Sequence, residues 1–268
     1  MTAPTGFIDP APRLAFSQRG SGLPVLFLHG IGGNRRNWDD QLVSVGGRHM
    51  AVAYDARGYG DSEDSNGPRH FPDFAADLLR VLDHLGVQRA VICGLSMGGL
   101  VATDFHARHP DRVAALVLCD TSPGLRKHMS PEDIERFLDA RRKPLLEGRS
   151  PAEIAPGLAR DLVSPRTPLD RVALLVDSLS RLRPESYLRT IEAVTRWDRS
   201  YDLGTIVVPT LVVVGEDDRL TPPEVGQRLA SAIPGAQLAV IPAAGHLSNL
   251  EAPAAFDAAL LPFLDALA

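Results

Sequence analysis

Four short apolar segments in the first half of the chain constrain its fold more than any other feature. Each is continuous rather than alternating with polar residues, which is typical of strands buried on both faces of a parallel sheet. Amphipathic helices are predicted between them, and the connections are long enough for crossovers. The sequence therefore predicts an α/β fold, with a mostly parallel central sheet and helices on both faces. The predicted strands are 25–28, 50–54, 90–93 and 113–119, and the predicted helices are 37–45, 71–86 and 97–108.

The strand pattern stops between residues 122 and 207, where we find no buried strand. Helix starts recur there instead. Ser130 and Ser150 each precede a proline and acidic residues, the pattern of a capped first helical turn. Because a structureless loop of this length is improbable inside a compact domain, the segment is predicted to be helical.

This interruption divides the chain into a core and an insertion. We predict that residues 123–204 form a helical cap, and that residues 1–122 and 205–268 form the core domain. The pattern predicts that the core resumes with further strands and helices: strands 210–214 and 237–241, a helix begun by a capping box at 221–224, and a final helix 251–267 that Pro262 kinks or breaks.

Residues 94–98 read Gly-Leu-Ser-Met-Gly, a G-x-S-x-G pattern that directly follows a predicted strand and precedes a predicted helix. A nucleophile elbow requires this context, because its serine sits on a strained turn that small neighbours must leave open. The following helix would direct its free N–H groups toward the reaction centre. The pattern predicts Ser96 as a catalytic nucleophile.

A serine hydroxyl needs a base to remove its proton, and His246 is the candidate among the eight histidines. It lies in a loop after the last predicted strand, and loops at the carboxyl ends of parallel strands are where ligands bind. The third member of a triad should follow the preceding strand, where Asp217 and Asp218 stand. Its role would be to orient the imidazole, and the residues alone leave both aspartates open.

Two backbone N–H groups that stabilise a developing oxyanion complete such a site. One is predicted at Met97, directly after the nucleophile. The other is predicted at Ile31, in the glycine-rich loop 29–33 after the first apolar strand. This loop could also be taken for a dinucleotide-binding motif, but it lacks the third glycine of G-x-G-x-x-G. We therefore predict an oxyanion hole rather than a nucleotide site.

Composition argues against several other classes of protein. The net charge is −5, with 44% hydrophobic and 23% charged residues, and no stripe of Lys or Arg suggests nucleic-acid binding. Cys93 and Cys119 end apolar runs and are predicted to be reduced core residues, without metal-ligand spacing. The apolar runs are too short to cross a bilayer, and the first residues do not resemble a signal peptide. We expect no metal, no membrane association and a cytoplasmic location.

Five segments together resemble the motifs of the α/β-hydrolase superfamily in order and spacing. In that superfamily the acid is the fourth residue of a G-x-x-D segment, which favours Asp218 over Asp217. Details such as Trp38 followed by Asp39 resemble the 3-oxoadipate enol-lactonase-like hydrolases. The resemblance implies a small ester or lactone substrate, no cofactor and a helical cap over the site. The segments are HGIGGNRRNW (29–38), DARGYGDS (55–62), GLSMGG (94–99), GEDDRLTPP (215–223) and AGHLSNLEAP (244–253).

The function predicted first is hydrolysis of a carboxylic ester or lactone through an acyl-enzyme on Ser96. Three alternatives stay open. They are a carbon–carbon bond hydrolase acting on dienoic ring-cleavage products, a cofactor-free perhydrolase, and a ligand-binding receptor with slow turnover. The cap would decide between substrates, and its sequence matches the family least well.

Few residues suggest themselves as substrate contacts. Trp38, near the oxyanion loop, and Trp197, near the end of the predicted cap, are the two candidates. An acidic lactone would also need a cation, for which Arg126, Lys127 and Arg196 are available. The oligomeric state stays open, with a homo-oligomer as one alternative.

Overall fold

A single sheet of eight strands runs through the molecule, in a computed structural model that describes residues 5–65, 67–124, 127, 129–197 and 202–268. Its strands are β1 (Thr5–Ile8), β2 (Leu14–Arg19), β3 (Pro24–Leu28), β4 (Met50–Tyr54), β5 (Ala90–Leu95), β6 (Val113–Cys119), β7 (Thr210–Gly215) and β8 (Gln237–Ile241). The order across the sheet is β1-β2-β4-β3-β5-β6-β7-β8. Neighbours from β4 to β8 pair in parallel, whereas β1 with β2 and β2 with β4 pair antiparallel. The predicted mostly parallel α/β fold is confirmed.

Helices cover both faces of this sheet. The helices are α1 (Asp39–Val45), α2 (Pro72–His84), α3 (Met97–Arg108), α4 (Pro131–Leu146), α5 (Pro151–Leu162), α6 (Leu169–Ser180), α7 (Pro184–Arg196), α8 (Pro223–Ala232), α9 (Ser248–Glu251) and α10 (Pro253–Asp265). Helix α1 packs with α10, and α2 packs with α3. Because crossovers between parallel strands are right-handed, and the connection through α1 runs across the sheet in the opposite direction to those through α2 and α3, the two pairs lie on opposite faces.

Strands β1 and β2 are an antiparallel hairpin at the edge of the sheet that the sequence analysis did not anticipate. The first, Thr5–Ile8, is mostly exposed and only four residues long. The second, Leu14–Arg19, buries its first four residues, although one of them is the polar Ser17. Neither strand therefore has the apolar run that identifies the central strands. Helix α10 also differs from expectation, because it continues through Pro262 after a separate short helix, Ser248–Glu251.

Trp38 is not a substrate contact, so this prediction is wrong. The residue ends a short 3-10 helix and its side chain is fully buried. The indole packs against the rings of Phe27 and Phe256, with centroid separations of 4.8 and 6.0 Å. Trp38 thus fixes the first turn after the oxyanion loop to the core and does not line the cavity that exposes Ser96.

Four helices, α4 to α7, lie between β6 and β7, in the segment predicted to be a cap. We call residues 123–204 the helical insertion. Ser130 accepts a hydrogen bond from Asp133 N, and Ser150 forms a reciprocal capping box with Glu153, as their spacing predicts. The pattern at 221–224 behaves differently, because Pro222 is the N-cap of α8 and the Thr221 hydroxyl is engaged elsewhere.

Three further observations concern the cysteines, membrane-spanning helices and metal binding. Cys93 and Cys119 are buried and free, on neighbouring strands, with their sulfur atoms 3.8 Å apart. Within the described ranges, no helix combines the length and apolarity needed to cross a bilayer. No group of three or more His, Cys, Asp or Glu side chains in those ranges could hold a metal ion.

Candidate active site

Ser96 occupies a sharp turn between β5 and α3. Its backbone has φ 54° and ψ −114°, a conformation that non-glycine residues rarely adopt and that the surrounding structure must impose. Two glycines make the turn sterically feasible. A Cβ at Gly94 would lie 2.2 Å from Gly98 O, and a Cβ at Gly98 would lie 2.3 Å from Leu28 O. The G-x-S-x-G pattern therefore produces a nucleophile elbow.

His246 and Asp218 complete a hydrogen-bonded chain that begins at Ser96. The Ser96 hydroxyl donates to His246 Nε2 at 2.9 Å, and His246 Nδ1 donates to Asp218 Oδ2 at 2.9 Å. Asp218 also accepts hydrogen bonds from Leu220 N at 2.8 Å, from Thr221 N at 2.9 Å and from the Thr221 hydroxyl at 2.7 Å. These bonds hold the carboxylate in one orientation toward the imidazole.

The charges of this pair stabilise each other. Burial alone would raise the pKa of Asp218 and lower the pKa of His246. The attraction and the hydrogen bond between the two groups outweigh burial. As a result, the pKa of Asp218 lies below its ordinary value and the pKa of His246 lies above its ordinary value. The site thus favours an imidazolium beside a carboxylate.

The neighbouring Asp217 lies outside this chain. Its carboxylate accepts hydrogen bonds from the Ser164 hydroxyl and from Arg166, with Arg166 Nη2 at 2.9 Å. Both Arg166 and Asp217 have exposed side-chain surface, at 53% and 27%. Of the two aspartates left open by the residues alone, only Asp218 contacts His246, in agreement with the spacing that the family resemblance indicated.

The glycine-rich loop after β3 approaches the elbow closely. A Cβ on Gly30 would lie 3.2 Å from the Cβ of Ser96. The side chain of His29 holds the loop, because its Nδ1 donates to Gly30 O at 2.8 Å and its Nε2 accepts from Ala56 N at 3.0 Å. Burial lowers the pKa of His29, so the ring stays neutral. The loop places Ile31 at the cavity that also exposes Ser96.

Glu251 is a buried carboxylate that the sequence analysis did not single out. Its Oε2 accepts hydrogen bonds from Gly245 N at 2.9 Å, from Ser164 N at 2.8 Å and from the Thr167 hydroxyl, while Oε1 accepts from Leu247 N at 2.9 Å. The residues on both sides of His246 are therefore bound to the same carboxylate. The one feature of the sequence that could have indicated Glu251 is its place within the AGHLSNLEAP segment, which resembles a family motif.

Asp120 is a second buried carboxylate near the site. It directly follows β6, at the same end of the sheet as the elbow. One oxygen accepts from Gly215 N at 2.8 Å, and the other accepts from Ser248 N at 3.0 Å and from the Ser248 hydroxyl at 2.6 Å. Burial, reinforced by the negative charge of Asp218, raises the pKa of Asp120 to about 7. Asp120 joins the strand that precedes Asp218 to the helix that follows His246.

A cavity that is partly open to solvent is lined by Ser96 and His246. The space among its lining residues, including the part open to solvent, is about 610 Å³. The core contributes the oxyanion loop and Leu220, and all four helices of the insertion contribute side chains. The residues from the insertion are Phe137, Arg141, Leu158, Leu162, Leu175, Leu179 and Tyr187.

The other predicted substrate contacts lie elsewhere. Trp197 packs on Phe71, with ring centroids 4.4 Å apart, and lines a separate outer depression, so its prediction as a pocket residue is wrong. Arg196 is exposed and pairs with Glu192 at 2.6 Å, and Lys127 is also exposed. Arg126 lies outside the described residues. The cation that does line the cavity is Arg141, which the sequence analysis did not consider.

An eight-stranded, mostly parallel sheet with an elbow serine under a helical insertion defines an α/β hydrolase. The profile of the alpha/beta hydrolase fold family matches residues 24–253. The chain belongs to this family and is an enzyme of its hydrolase class.

Relatives with known names include several kinds of hydrolase. A protein of Pseudomonas savastanoi pv. phaseolicola named for carbamate hydrolysis, RutD, is 32% identical over 91% of this chain and 94% of its own length. The 3-oxoadipate enol-lactonase 2 of Acinetobacter baylyi is 28% identical over 88% of this chain and 86% of its own length. A 2-hydroxy-6-oxononadienedioate/2-hydroxy-6-oxononatrienedioate hydrolase of Cupriavidus pinatubonensis is 32% identical over 96% and 92%. The predicted similarity to enol-lactonase-like enzymes is confirmed.

The solved structures agree with this placement. A thermophilic esterase from Thermogutta terrifontis, determined with malate bound, has a TM-score of 0.89 and is 32% identical, with 99% of both chains covered. The relatives differ in the bond that they are named for. They therefore establish a hydrolase without defining its substrate.

Proposed function

We propose that the chain hydrolyses a carboxylic ester or lactone through an acyl-enzyme intermediate on Ser96. The observation that carries this proposal is the continuous hydrogen-bonded chain from Ser96 through His246 to Asp218 at the floor of a cavity. In this proposal Ser96 is the nucleophile, His246 the general base and Asp218 the orienting acid. The likeness to an esterase and to an enol-lactonase supports the choice of bond.

The reaction would proceed in two stages. Ser96 Oγ attacks the carbonyl carbon while its proton passes to His246 Nε2, and the resulting imidazolium returns that proton to the departing alkoxide. In a lactone the leaving oxygen stays attached to the acyl chain. Water then attacks the acyl-enzyme with His246 again as base, and the carboxylic acid is released. The N–H groups of Ile31 and Met97 would stabilise the oxyanion in both stages.

The helical insertion would act as the cap over this reaction. Its side chains supply most of the apolar wall of the cavity, and the remainder comes from the core. A wall of leucine and aromatic side chains excludes water from the developing charge, which strengthens the electrostatic stabilisation there. We therefore retain 123–204 as a substrate-selecting cap on a core of 1–122 and 205–268.

The direct test is turnover of p-nitrophenyl esters and small lactones, together with a fluorophosphonate probe and peptide mapping. We expect multiple turnover and labelling of Ser96, because the probe reacts with activated serines. Faster cleavage of dienoic diketone acids than of any ester would favour the carbon–carbon hydrolase that one relative's name suggests. Labelling of another residue, or binding without turnover, would contradict the proposal.

The pH dependence of kcat/KM should follow His246. The base must be neutral to accept the serine proton, and its pKa is raised above 6.5 by Asp218 despite burial. Activity is therefore lost as the pH falls through this raised value, and the acid limb of the profile should have its midpoint above pH 6.5. This midpoint is measured from kcat/KM for a neutral ester across a series of pH values. A midpoint below the ordinary histidine value would contradict the assignment.

A further inference from the structure

Arg141 is chemically unlike the rest of the cavity wall. The other six side chains that line the cavity from the insertion are apolar or aromatic: one phenylalanine, four leucines and one tyrosine. Of the described residues that line this cavity, Arg141 is the only lysine or arginine. A guanidinium placed among such side chains loses hydration that it would have in water, and burial accordingly lowers the pKa of Arg141.

The contacts of Arg141 within the protein compensate little of this loss. Its guanidinium stacks over the ring of Phe137, one helical turn earlier, with Cζ 3.7 Å from the ring centroid. Nη1 donates to Phe137 O at 3.2 Å. Among the described residues, no carboxylate oxygen lies within 4.0 Å of its nitrogen atoms. The Tyr187 phenol is close enough to interact, and the charge of Asp161 acts on the guanidinium from farther away.

The next arginine on the same helix shows the contrast. Arg142 pairs with Asp139 at 2.6 Å and with Glu135 at 3.7 Å, on the outer surface of the insertion. Lys143 also pairs with Asp139, at 2.8 Å. Helix α4 thus pairs the cations on its outer side with carboxylates, whereas Arg141, which lines the cavity, has no carboxylate oxygen within 4.0 Å among the described residues.

We propose that Arg141 binds a carboxylate of the substrate, and that the enzyme therefore acts on esters or lactones that carry a second, ionised carboxyl group. This inference rests on the proposed function. Arg141 lines the cavity, its guanidinium has further N–H donors besides the one that binds Phe137 O, and its planar fork matches the geometry of a carboxylate. A charge-assisted bond there would be strong, because the surrounding side chains lower the local dielectric.

The balance of charge selects the class of anion. One guanidinium neutralises one negative charge, which suits a carboxylate. A phosphate dianion would leave a buried charge uncompensated, because the described lining supplies no second lysine or arginine. The apolar wall between Arg141 and Ser96 would hold the hydrocarbon chain that separates the carboxylate from the scissile carbonyl. The substrate would then be anchored at one end and cleaved at the other.

Matched substrates separate this role from general catalysis. We would compare the monomethyl esters of succinic, glutaric and adipic acids with the methyl esters of butanoic, pentanoic and hexanoic acids in a pH-stat. The enzymes would be wild type, Arg141→Gln, Arg141→Lys and, as the matched control, Arg142→Gln. For at least one monoester, Arg141→Gln should lower kcat/KM by about 10- to 100-fold, chiefly through KM, while the neutral esters change less than about threefold.

The control variant and the lysine variant test whether the charge at position 141 sets the preference between the two classes of ester. Arg142→Gln should leave the preference between the two ester classes unchanged, and Arg141→Lys should retain part of it because the charge remains. Thermal unfolding of Arg141→Gln should occur close to the wild-type Tm or above it, since the substitution removes a half-buried cation that has no ion pair within 4.0 Å among the described residues. A lowered Tm with equal loss on both ester classes would overturn the proposal in favour of a structural role.

A binding measurement distinguishes failure of this inference from failure of the proposed function. Glutarate and pentanoate would be titrated into wild type, Arg141→Gln and Arg142→Gln by calorimetry, which requires no turnover. Binding of glutarate that Arg141→Gln weakens and Arg142→Gln does not would support the subsite even if no ester were cleaved. Hydrolysis of neutral esters with no preference for monoesters, and no binding of glutarate, would overturn the subsite while the proposed function stands.

Discussion

Replacing Ser96 with alanine should lower kcat for a good ester substrate by about 10⁴- to 10⁶-fold. The hydroxyl is the group that donates to His246 Nε2 at 2.9 Å, and alanine leaves no atom that can form the acyl-enzyme. Residual activity would come from water attacking a substrate that is still bound beside the oxyanion donors. The ratio of kcat between wild type and variant is measured from the linear phase of product formation, which for the slow, freshly purified variant requires long incubations.

The control for this variant is Ser122→Ala. Ser122 is another buried serine, three residues after the end of β6, and its hydroxyl accepts a hydrogen bond from Gly124 N at 3.3 Å. It does not line the cavity, so its loss should leave kcat within about twofold of wild type, as for substitutions away from the chemistry. Both variants should unfold within about 3 °C of wild type. A Ser96→Ala protein that retained full activity would rule out the proposed nucleophile.

Replacing Asp218 with asparagine should lower kcat by about 10⁴-fold. Asparagine keeps the shape of the side chain but removes the charge that stabilises the imidazolium, and its amide can favour the wrong histidine tautomer. The carboxylate oxygen that accepts from His246 Nδ1 also accepts from the Thr221 hydroxyl, so an amide nitrogen there would disrupt two hydrogen bonds. Steady-state kinetics with one ester measures the loss.

Asp217→Asn provides a closely matched comparison for this second variant. The same substitution one residue away removes a surface ion pair with Arg166, and such pairs contribute about 0–1 kcal/mol to stability. We expect kcat within about threefold of wild type. A large loss with Asp217→Asn and full activity with Asp218→Asn would reverse the assignment of the acid.

The central strands could be predicted because each buries both faces and so needs a continuous apolar run. This condition holds for β5 and β6, whose sequences leave almost no exposed residue. The hairpin of β1 and β2 was missed because the edge strand β1 is mostly exposed, and because the pairing of β2 with β4 depends on distant residues. The positions of Ser96 in the turn after β5 and of His246 in the loop after β8 could be predicted because local sequence dictates a strand, a turn and a helix around them.

Side chains whose role depends on packing could not be assigned in this way. An indole such as Trp38 can face a cavity or the core, and only the positions of Phe27 and Phe256 decide between them. Arg141 was overlooked because the sequence does not show which side of helix α4 faces the cavity. Its neighbour Arg142 has the same chemistry but faces solvent. The choice of acid could be narrowed to Asp218 by the G-x-x-D spacing of the family. Only the structure shows that its carboxylate contacts His246.

The carboxylate of Glu251 has a consequence for how such an enzyme could exchange its specificity by recombination. It binds Gly245 and Leu247 in the core together with Ser164 and Thr167 in the helical insertion, and His246 N donates to Leu162 O at 2.8 Å. The stretch 162–167 is therefore joined to the histidine loop by hydrogen bonds, both directly and through Glu251. A chimera that imports the whole insertion from a relative would disturb the base, whereas crossover points placed on either side of this stretch would transfer the pocket walls and keep the catalytic geometry.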